Sequence, residues 1–329
     1  MKRLGIIVCV LILGVGCQRK IYQFTEGSVY GTTYHVSYRS ATDYSAEIRQ
    51  EMERVNQSLS MFNKKSVIAR LNRGETDQVD SLFVRMFTKA GEVYEVTGGA
   101  FDITVAPLVN AWGFGFKNEK LPSSEKVDSL LQYVGMDKVK IEGEKLVKAV
   151  EGIQMDASSI AKGLGVDLVA DFFESKEIYD YMVEIGGEVR VKGQSDKSRP
   201  WHIGIDKPID DETASRRELQ FVLEMGEGAL ATSGNYRRFY VVDGKKYSHT
   251  INPKTGYPVQ QDILGASVYA PTCMEADAYA TAFMVLGTER AKEIVEANPR
   301  VEACFIYQNE QGEREVWVSE KMKTLILEE

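Results

Sequence analysis

Met155-Asp156-Ala157-Ser158-Ser159-Ile160-Ala161-Lys162-Gly163 opens as the tail of a strand and ends inside a helix. Ser158 or Ser159 is placed to cap that helix by accepting from a free backbone N–H. Ile160, Leu164, Leu168 and Phe172 recur at a spacing of four, which gives one buried face. The open N–H groups and positive dipole of such a helix start suit a phosphate, and Lys162 adds a positive charge there. Read alone, the same residues equally describe a capped helix with a solvated lysine.

Outward from this point the elements alternate between hairpins and helices. On the amino-terminal side, Tyr22 to Tyr38 reads as paired strands broken at Gly31. Tyr44 to Leu59 and Ser81 to Thr97 read as amphipathic helices, with a short Ser66-capped helix between them. Ser124 to Tyr133 is a further helix, and Val139 to Val150 a hairpin around Glu142-Gly143. On the carboxy-terminal side, Tyr181 to Ile185 reads as a strand ending at Gly186-Gly187, and Val189 to Lys192 as its continuation. Trp201 to Ile205, Leu219 to Met225 and Ala229 to Thr232 are strands, with Ser233-Gly234-Asn235-Tyr236 a turn. Asp243-Gly244 between two strands is a hairpin signal. A strand over Gly265–Ala270, helices over Glu275–Leu286 and Glu289–Asn298, and two last strands complete the chain. This order predicts α+β architecture with mainly antiparallel sheets and flanking helices, not a doubly wound parallel sheet.

The chain has 329 residues, 43% of them hydrophobic, enough for one large domain or two fused lobes. A net charge of −8 and the lack of a basic-aromatic run argue against a nucleic-acid partner. Lys2-Arg3 followed by an apolar run from Leu4 to Val15 and Gly16-Cys17 reads as a signal peptide. Cys17 resembles a lipobox cysteine, whose thiol would carry a diacylglycerol; Gly14 stands where a lipobox usually has Leu. The expected organisation is a leader over 1–16, a lipid-anchored linker over 17–28 and a single domain from 29 to 329. Of the four cysteines, Cys273 and Cys304 remain in the body of the mature chain, and their pairing is not legible.

Asp277 and Thr281 lie four apart on a predicted helix and share a face. Both offer oxygen, which hard cations such as Mg²⁺ prefer; an ordinary helical Asp beside a Thr bonded to its own backbone gives the same pattern. No Cys/His cluster points to zinc. His249 closes a hairpin strand just before a turn-rich loop, where it could act as a general base or be purely structural. His35 and His202 alternate with apolar residues in strands and read as structural.

Six blocks occur in order: Gly31-Thr32-Thr33-Tyr34-His35-Val36, Gly99-Ala100-Phe101-Asp102-Ile103-Thr104, Asp156 through Gly163, Ala231-Thr232-Ser233-Gly234, His249 with Asn252-Pro253-Lys254-Thr255-Gly256-Tyr257-Pro258, and Ala276-Asp277-Ala278 with Thr281. Together they resemble the ApbE family of FAD:protein FMN transferases. The resemblance implies an α+β, T-fold-related domain in the bacterial periplasm, often lipid-anchored to a membrane. It implies Mg²⁺ as cofactor, FAD as substrate, release of AMP, and transfer of FMN to a Thr or Ser hydroxyl. The acceptors it implies are flavoprotein subunits of membrane electron-transfer complexes.

Residue by residue, the resemblance implies that the Ala161 carbonyl, the Asp277 carboxylate and the Thr281 hydroxyl hold Mg²⁺. It implies that Tyr30, Phe62, Ala100, Phe101 and Asp102 line the flavin site, and that Ser158, Leu164 and Ile251 also touch FAD. Lys162 would offset pyrophosphate charge, and His249 would assist the acceptor hydroxyl. Glu184 stands where the family often has Asn, and Asn235 and Asn252 where Asp is usual; fewer acids favour one ion over two. The sequence leaves open a Mg²⁺-dependent FAD pyrophosphatase, and a flavin-binding lipoprotein without chemistry.

Overall fold

The chain enters its main sheet through a hairpin. Tyr22–Val29 (β1) and Thr32–Arg39 (β2) pair antiparallel from Tyr22 opposite Arg39 to Val29 opposite Thr32. Tyr30 (φ 51°) and Gly31 (φ 76°) both take the left-handed conformation that a two-residue turn matched to strand twist requires. A computed structural model describes residues 21–115, 121–208, 218–235, 239–242 and 245–327. The leader, Cys17, the charged stretch from Asp210 to Arg217, Tyr236 and Asp243-Gly244 lie outside the described residues. β1 lies mostly before residue 29, where the domain was expected to begin.

The helices follow their apolar spacing. Ser45–Leu59 (α1) buries Ile48, Met52, Val55 and Leu59. Ser66 accepts from the Ala69 N–H at 3.1 Å and caps Val67–Asn72 (α2). Asp80 caps Ser81–Val96 (α3) through the Phe83 N–H at 2.8 Å. Ala106–Ala111 (α4) and Ser124–Leu131 (α5) precede the Val139–Glu142 (β3) and Lys145–Lys148 (β4) hairpin. Ala161–Ser175 (α6) follows.

Tyr181–Ile185 (β5) and Glu188–Lys192 (β6) are two strands, not one. Gly186 (φ 64°) and Gly187 (φ 104°) reverse the chain, and β6 returns antiparallel along β5. Trp201–Asp206 (β7) and Leu219–Met225 (β8) pair with each other. Glu227–Gly234 (β9) runs further than expected: Ser233 and Gly234 pair with Ala266 and Gly265 and are strand residues, not turn residues. Phe239–Val242 (β10) and Lys245–Ser248 (β11) form a small hairpin. Ile263–Ala270 (β12), Cys273–Leu286 (α7), Thr288–Ala297 (α8), Glu302–Gln308 (β13), Arg314–Val318 (β14) and Glu320–Lys323 (α9) complete the fold.

Eight strands make one sheet in the order β1-β2-β5-β6-β9-β12-β13-β14, with every neighbouring pair antiparallel. On one face, α6 packs over β5 and β6, α7 over β9 and β12, and the two helices pack against each other, with α1 outside α6. On the other face, Val189, Val191, Leu230, Cys304 and Ile306 meet the β7–β8 hairpin and Met322 of α9. Both helices of the middle layer are buried nearly all round, as expected for a helix without a solvent side. Along α7 every residue from Cys273 to Val285 is buried except Thr281. Cys273 and Cys304 are both free and buried.

Candidate functional site

The approach to α6 is held by two neighbours. Asn72 donates to the Met155 carbonyl and accepts from its N–H, both at 2.8 Å, and the Asp156 N–H reaches the Ile103 carbonyl at 2.6 Å. The Asp156 carboxylate then accepts from the Ser158 N–H at 2.8 Å, and the N–H groups of Ile160 and Ala161 turn back to the Ala157 carbonyl. This extra turn moves the helix start past both serines. Ile160 occupies the cap position, and neither Ser158 nor Ser159 caps the helix as the sequence predicts. Ser158 is exposed.

The cap comes from another helix. Asp277 on α7 accepts from the Gly163 N–H, the third residue of α6, at 3.0 Å. The favour is returned at the other end of the contact: Asp167 on α6 accepts from the Cys273 and Met274 N–H groups at the start of α7, both at 2.9 Å. Side-chain oxygens on first-turn N–H groups are the stabilising arrangement at a helix start. The helices approach so closely that a Cβ on Gly163 would lie 2.4 Å from the Cys273 carbonyl oxygen and 2.7 Å from the Met274 Cα.

The other Asp277 oxygen, Oδ1, faces the Lys162 ammonium at 3.8 Å, outside hydrogen-bond length. That ammonium is bonded to Oε1 of Glu188, the first residue of β6. Burial pushes the Glu188 carboxyl up to about 7; the Lys162 charge pulls it back and the Asp277 charge adds to the rise. Burial works against the charge on Lys162, but Asp277 and Glu188 outweigh it and hold the ammonium protonated well above its ordinary range. Lys162 is therefore bonded to one carboxylate and faces a second, with its side chain partly exposed. β6 extends this pairing: Arg190 bonds Asp167 at 2.9 Å, Asp171 at 3.3 Å and Glu174 at 3.2 Å, and Lys192 reaches Glu174 at 3.2 Å.

Ala161, Asp277 and Thr281 are brought to this one place. Ala161 opens α6 two residues before Gly163, and Thr281 lies one turn after Asp277. The Thr281 hydroxyl is 3.3 Å from that of Ser233 at the end of β9. Among the described residues no group of three or more His, Cys, Asp or Glu side chains could hold a metal. The set at hand is a carboxylate, a hydroxyl and a carbonyl, all oxygen, which fits a hard divalent cation and not zinc.

His249 is tied to the same end of β9. Its neighbour Thr250 donates to the Asn235 side chain at 3.1 Å, two residues beyond Ser233. The His249 ring meets Phe114 edge-on at 6.4 Å. Asn252 shapes the following loop, accepting from the Lys254 N–H at 2.9 Å, while Trp112 donates to the Gly256 carbonyl at 2.8 Å. Ile251 is buried beside Leu108 and Trp112.

The expected flavin-lining residues divide. Phe62 is 70% exposed in the loop after α1. Tyr30 sits between helices: its hydroxyl donates to the Met52 carbonyl of α1 at 2.6 Å, and its ring lies where a Cβ on Gly165 of α6 would fall. Phe101 and Leu164 are core residues, and Ala100 packs on Val259 and Val285. Asp102 is buried and bonds the Thr104 N–H at 2.7 Å and the Met136 N–H at 3.2 Å; burial pushes its carboxyl up. Glu184, one of the departures, accepts from the Gly187 N–H at 2.6 Å and pairs with His35 at 2.6 Å, and His202 pairs with Glu224 at 3.3 Å. The sequence reading missed Glu188 and Asp167. The signal for Glu188 was an acid directly after Gly186-Gly187 in a strand whose alternate residues, Val189 and Val191, are apolar.

The sequence profile of the ApbE family matches residues 30–305. The FAD:protein FMN transferase of Vibrio cholerae serotype O1 is 37% identical over 317 residues, covering 93% of each chain. That of Haemophilus influenzae is 38% identical and covers 91% of each. Among solved structures, the flavin transferase ApbE from Vibrio cholerae superposes with a TM-score of 0.83 at 35% identity, covering 93% of this chain and 99% of that one. The apo flavinyl transferase ApbE of Pseudomonas stutzeri gives 0.81 at 29% identity, covering 93% and 97%. With the family profile spanning residues 30–305 and relatives 37–38% identical over more than nine-tenths of both chains, the chain belongs to the ApbE family.

Proposed function

We propose that the chain is an enzyme that moves the FMN half of FAD onto a Thr or Ser hydroxyl of an acceptor protein, with a divalent cation, Mg²⁺ in the first instance, as cofactor. The observation that carries this reading is the meeting of α6 and α7, where Asp277 bonds the Gly163 N–H at 3.0 Å with Lys162 and Thr281 beside it. The names of the relatives support flavin transfer to protein. The Ala161 carbonyl, the Asp277 carboxylate and the Thr281 hydroxyl are the proposed cation ligands. When bound, the cation supplies positive charge against the pyrophosphate.

The chemistry is a displacement at the phosphorus of the FMN half. The acceptor hydroxyl oxygen forms a new bond to it, the bond to the bridging oxygen breaks, and AMP leaves with that oxygen. The hydroxyl proton passes to the His249 ring. Lys162 adds a positive charge on the pyrophosphate side of the site. Phe62, Tyr30, Ala100, Phe101, Asp102, Ser158, Leu164 and Ile251 form or back the flavin site; the buried ones among them act by shaping the wall behind it. Acceptors of the class expected are subunits of membrane electron-transfer complexes, and the amino-terminal sequence supports lipid anchoring at Cys17 on the periplasmic side. Among the described residues no helix is long and apolar enough to cross a membrane.

Incubation with FAD, Mg²⁺ and a threonine-bearing acceptor tests this. Covalent flavin on the acceptor with one AMP released for each is the expected result. Free FMN with an unmodified acceptor would show transfer to water instead, and intact FAD would show binding without chemistry.

A further inference from the structure

Lys162 has two carboxylates within reach, and they differ in standing. Its ammonium is bonded to Glu188 Oε1 and stands 3.8 Å from Asp277 Oδ1. The Glu188 side chain is 4% exposed, and its second oxygen, Oε2, accepts no hydrogen bond. An acceptor left open in a buried position is uncommon. Here it lies beside a long flexible cation that a second carboxylate also attracts. Asp277 itself is tied on its far side to the Gly163 N–H, so Oδ1 is the oxygen over which any approaching cation and Lys162 must compete.

We infer that Glu188 is a positioning residue that sets how tightly Asp277 takes a divalent cation, by holding the competing ammonium of Lys162. With a cation on Asp277, like-charge repulsion drives the ammonium toward Glu188, and the open Oε2 gives it a second acceptor there. Without Glu188 the ammonium has Asp277 as its one buried counter-charge, and the cation must displace it. Glu188 touches neither the cation nor the flavin in this arrangement; it acts through Lys162. The inference rests on the cation site proposed above.

The experiment is a calorimetric titration of Mg²⁺ into the purified full-length chain without FAD, in mildly alkaline buffer. Loss of wild-type binding on Asp277→Ala establishes the site; a wild-type chain that takes no Mg²⁺ refutes the cation site and this inference with it. Given binding, Glu188→Gln is expected to weaken it about tenfold. The double variant Glu188→Gln with Lys162→Met is expected to return to within about threefold of wild type, because the competitor is gone. A Glu188→Gln chain with wild-type affinity overturns the inference, and so does a double variant as weak as the single one. Lys162→Met alone keeps the test open if Glu188→Gln does not fold. It should bind Mg²⁺ at least as tightly as wild type, and weaker binding overturns the inference.

Discussion

The carboxylate of Asp277 caps a helix through the Gly163 N–H, 114 residues earlier in the chain, at 3.0 Å. Asp167 caps the helix that carries Asp277. Each start thus takes bonds from the other helix, with Thr272 also accepting from the Glu275 N–H at 3.4 Å, and neither can turn or slide without exposing first-turn N–H groups. A cap of this kind is worth about 0.5–2 kcal/mol. The geometric consequence is larger than the energetic one: Lys162, Asp277 and Thr281 are set in register by backbone groups, not by long side chains.

Asp277 therefore has two roles that substitutions can separate. Asp277→Asn keeps an oxygen for the Gly163 N–H and removes the charge. It should unfold close to the wild-type temperature while transfer falls by at least about a hundredfold. Asp277→Ala should lose activity and also about 0.5–2 kcal/mol of stability. Thermal unfolding beside an AMP-release assay reads both. An Asp277→Asn chain with full activity would remove the carboxylate from the chemistry.

Gly163 offers a test in which two principles predict opposite signs. By helix propensity alone, Gly163→Ala should stabilise α6 by about 1 kcal/mol. The added Cβ would instead fall 2.4 Å from the Cys273 carbonyl oxygen. The obstacle is backbone, which cannot rotate away as a side chain can. Overpacking should win, with a net loss of about 1–3 kcal/mol, and should part the two helices at the proposed cation site. A higher unfolding temperature for Gly163→Ala would mean that the close contact is not maintained in solution.

The sequence showed the elements far better than the faces they turn inward. Apolar spacing located α1 and α3 because each has one wet side. It said less about α6 and α7, which are buried nearly all round, so Asp167 passed unnoticed and Asp277 read as either a cation ligand or an ordinary helical acid. β6 misled in another way. Alternation puts Glu188, Arg190 and Lys192 on the face opposite Val189 and Val191, normally the solvent face. In this sheet both faces are covered, and those charges meet Lys162, Asp167 and Glu174 of α6. The serine cap failed because one extra turn before α6 shifts its start past both hydroxyls, a shift of a few residues that local pattern does not register. Ala161, Asp277 and Thr281 reached a common place through the motifs, since no local rule links positions so far apart.

The position of the Glu188 carboxyl gives stability a pH dependence with a definite sign. Its ordinary value of 4.5 is raised to about 7 in the folded chain, mainly by burial. The folded state holds this proton more tightly than the unfolded state does. The contribution is fully present below 4.5 and is lost as pH rises through about 7. Glu188→Gln stays neutral throughout. Relative to wild type, its unfolding temperature should therefore climb between pH 4.5 and about 7 and level off above. A difference that stays flat across this window would place the carboxyl in a wetter setting than the structure shows.

His249 neighbours Thr250, which meets Asn235 just past β9, while Ser233 of β9 meets Thr281 at the proposed cation site. Its removal should leave the α6–α7 contact undisturbed. As the proposed acceptor of the hydroxyl proton, it matters to transfer and not to the grip on FAD. His249→Ala is expected to slow flavin transfer by about 10²–10⁴-fold. FAD affinity, measured by flavin fluorescence, should stay within about threefold of wild type, because the pyrophosphate end keeps Lys162 and Asp277. A parallel loss of affinity and rate would show that the ring, in its edge-on contact with Phe114, shapes the flavin pocket instead. An unchanged rate would require the proton to leave by another group.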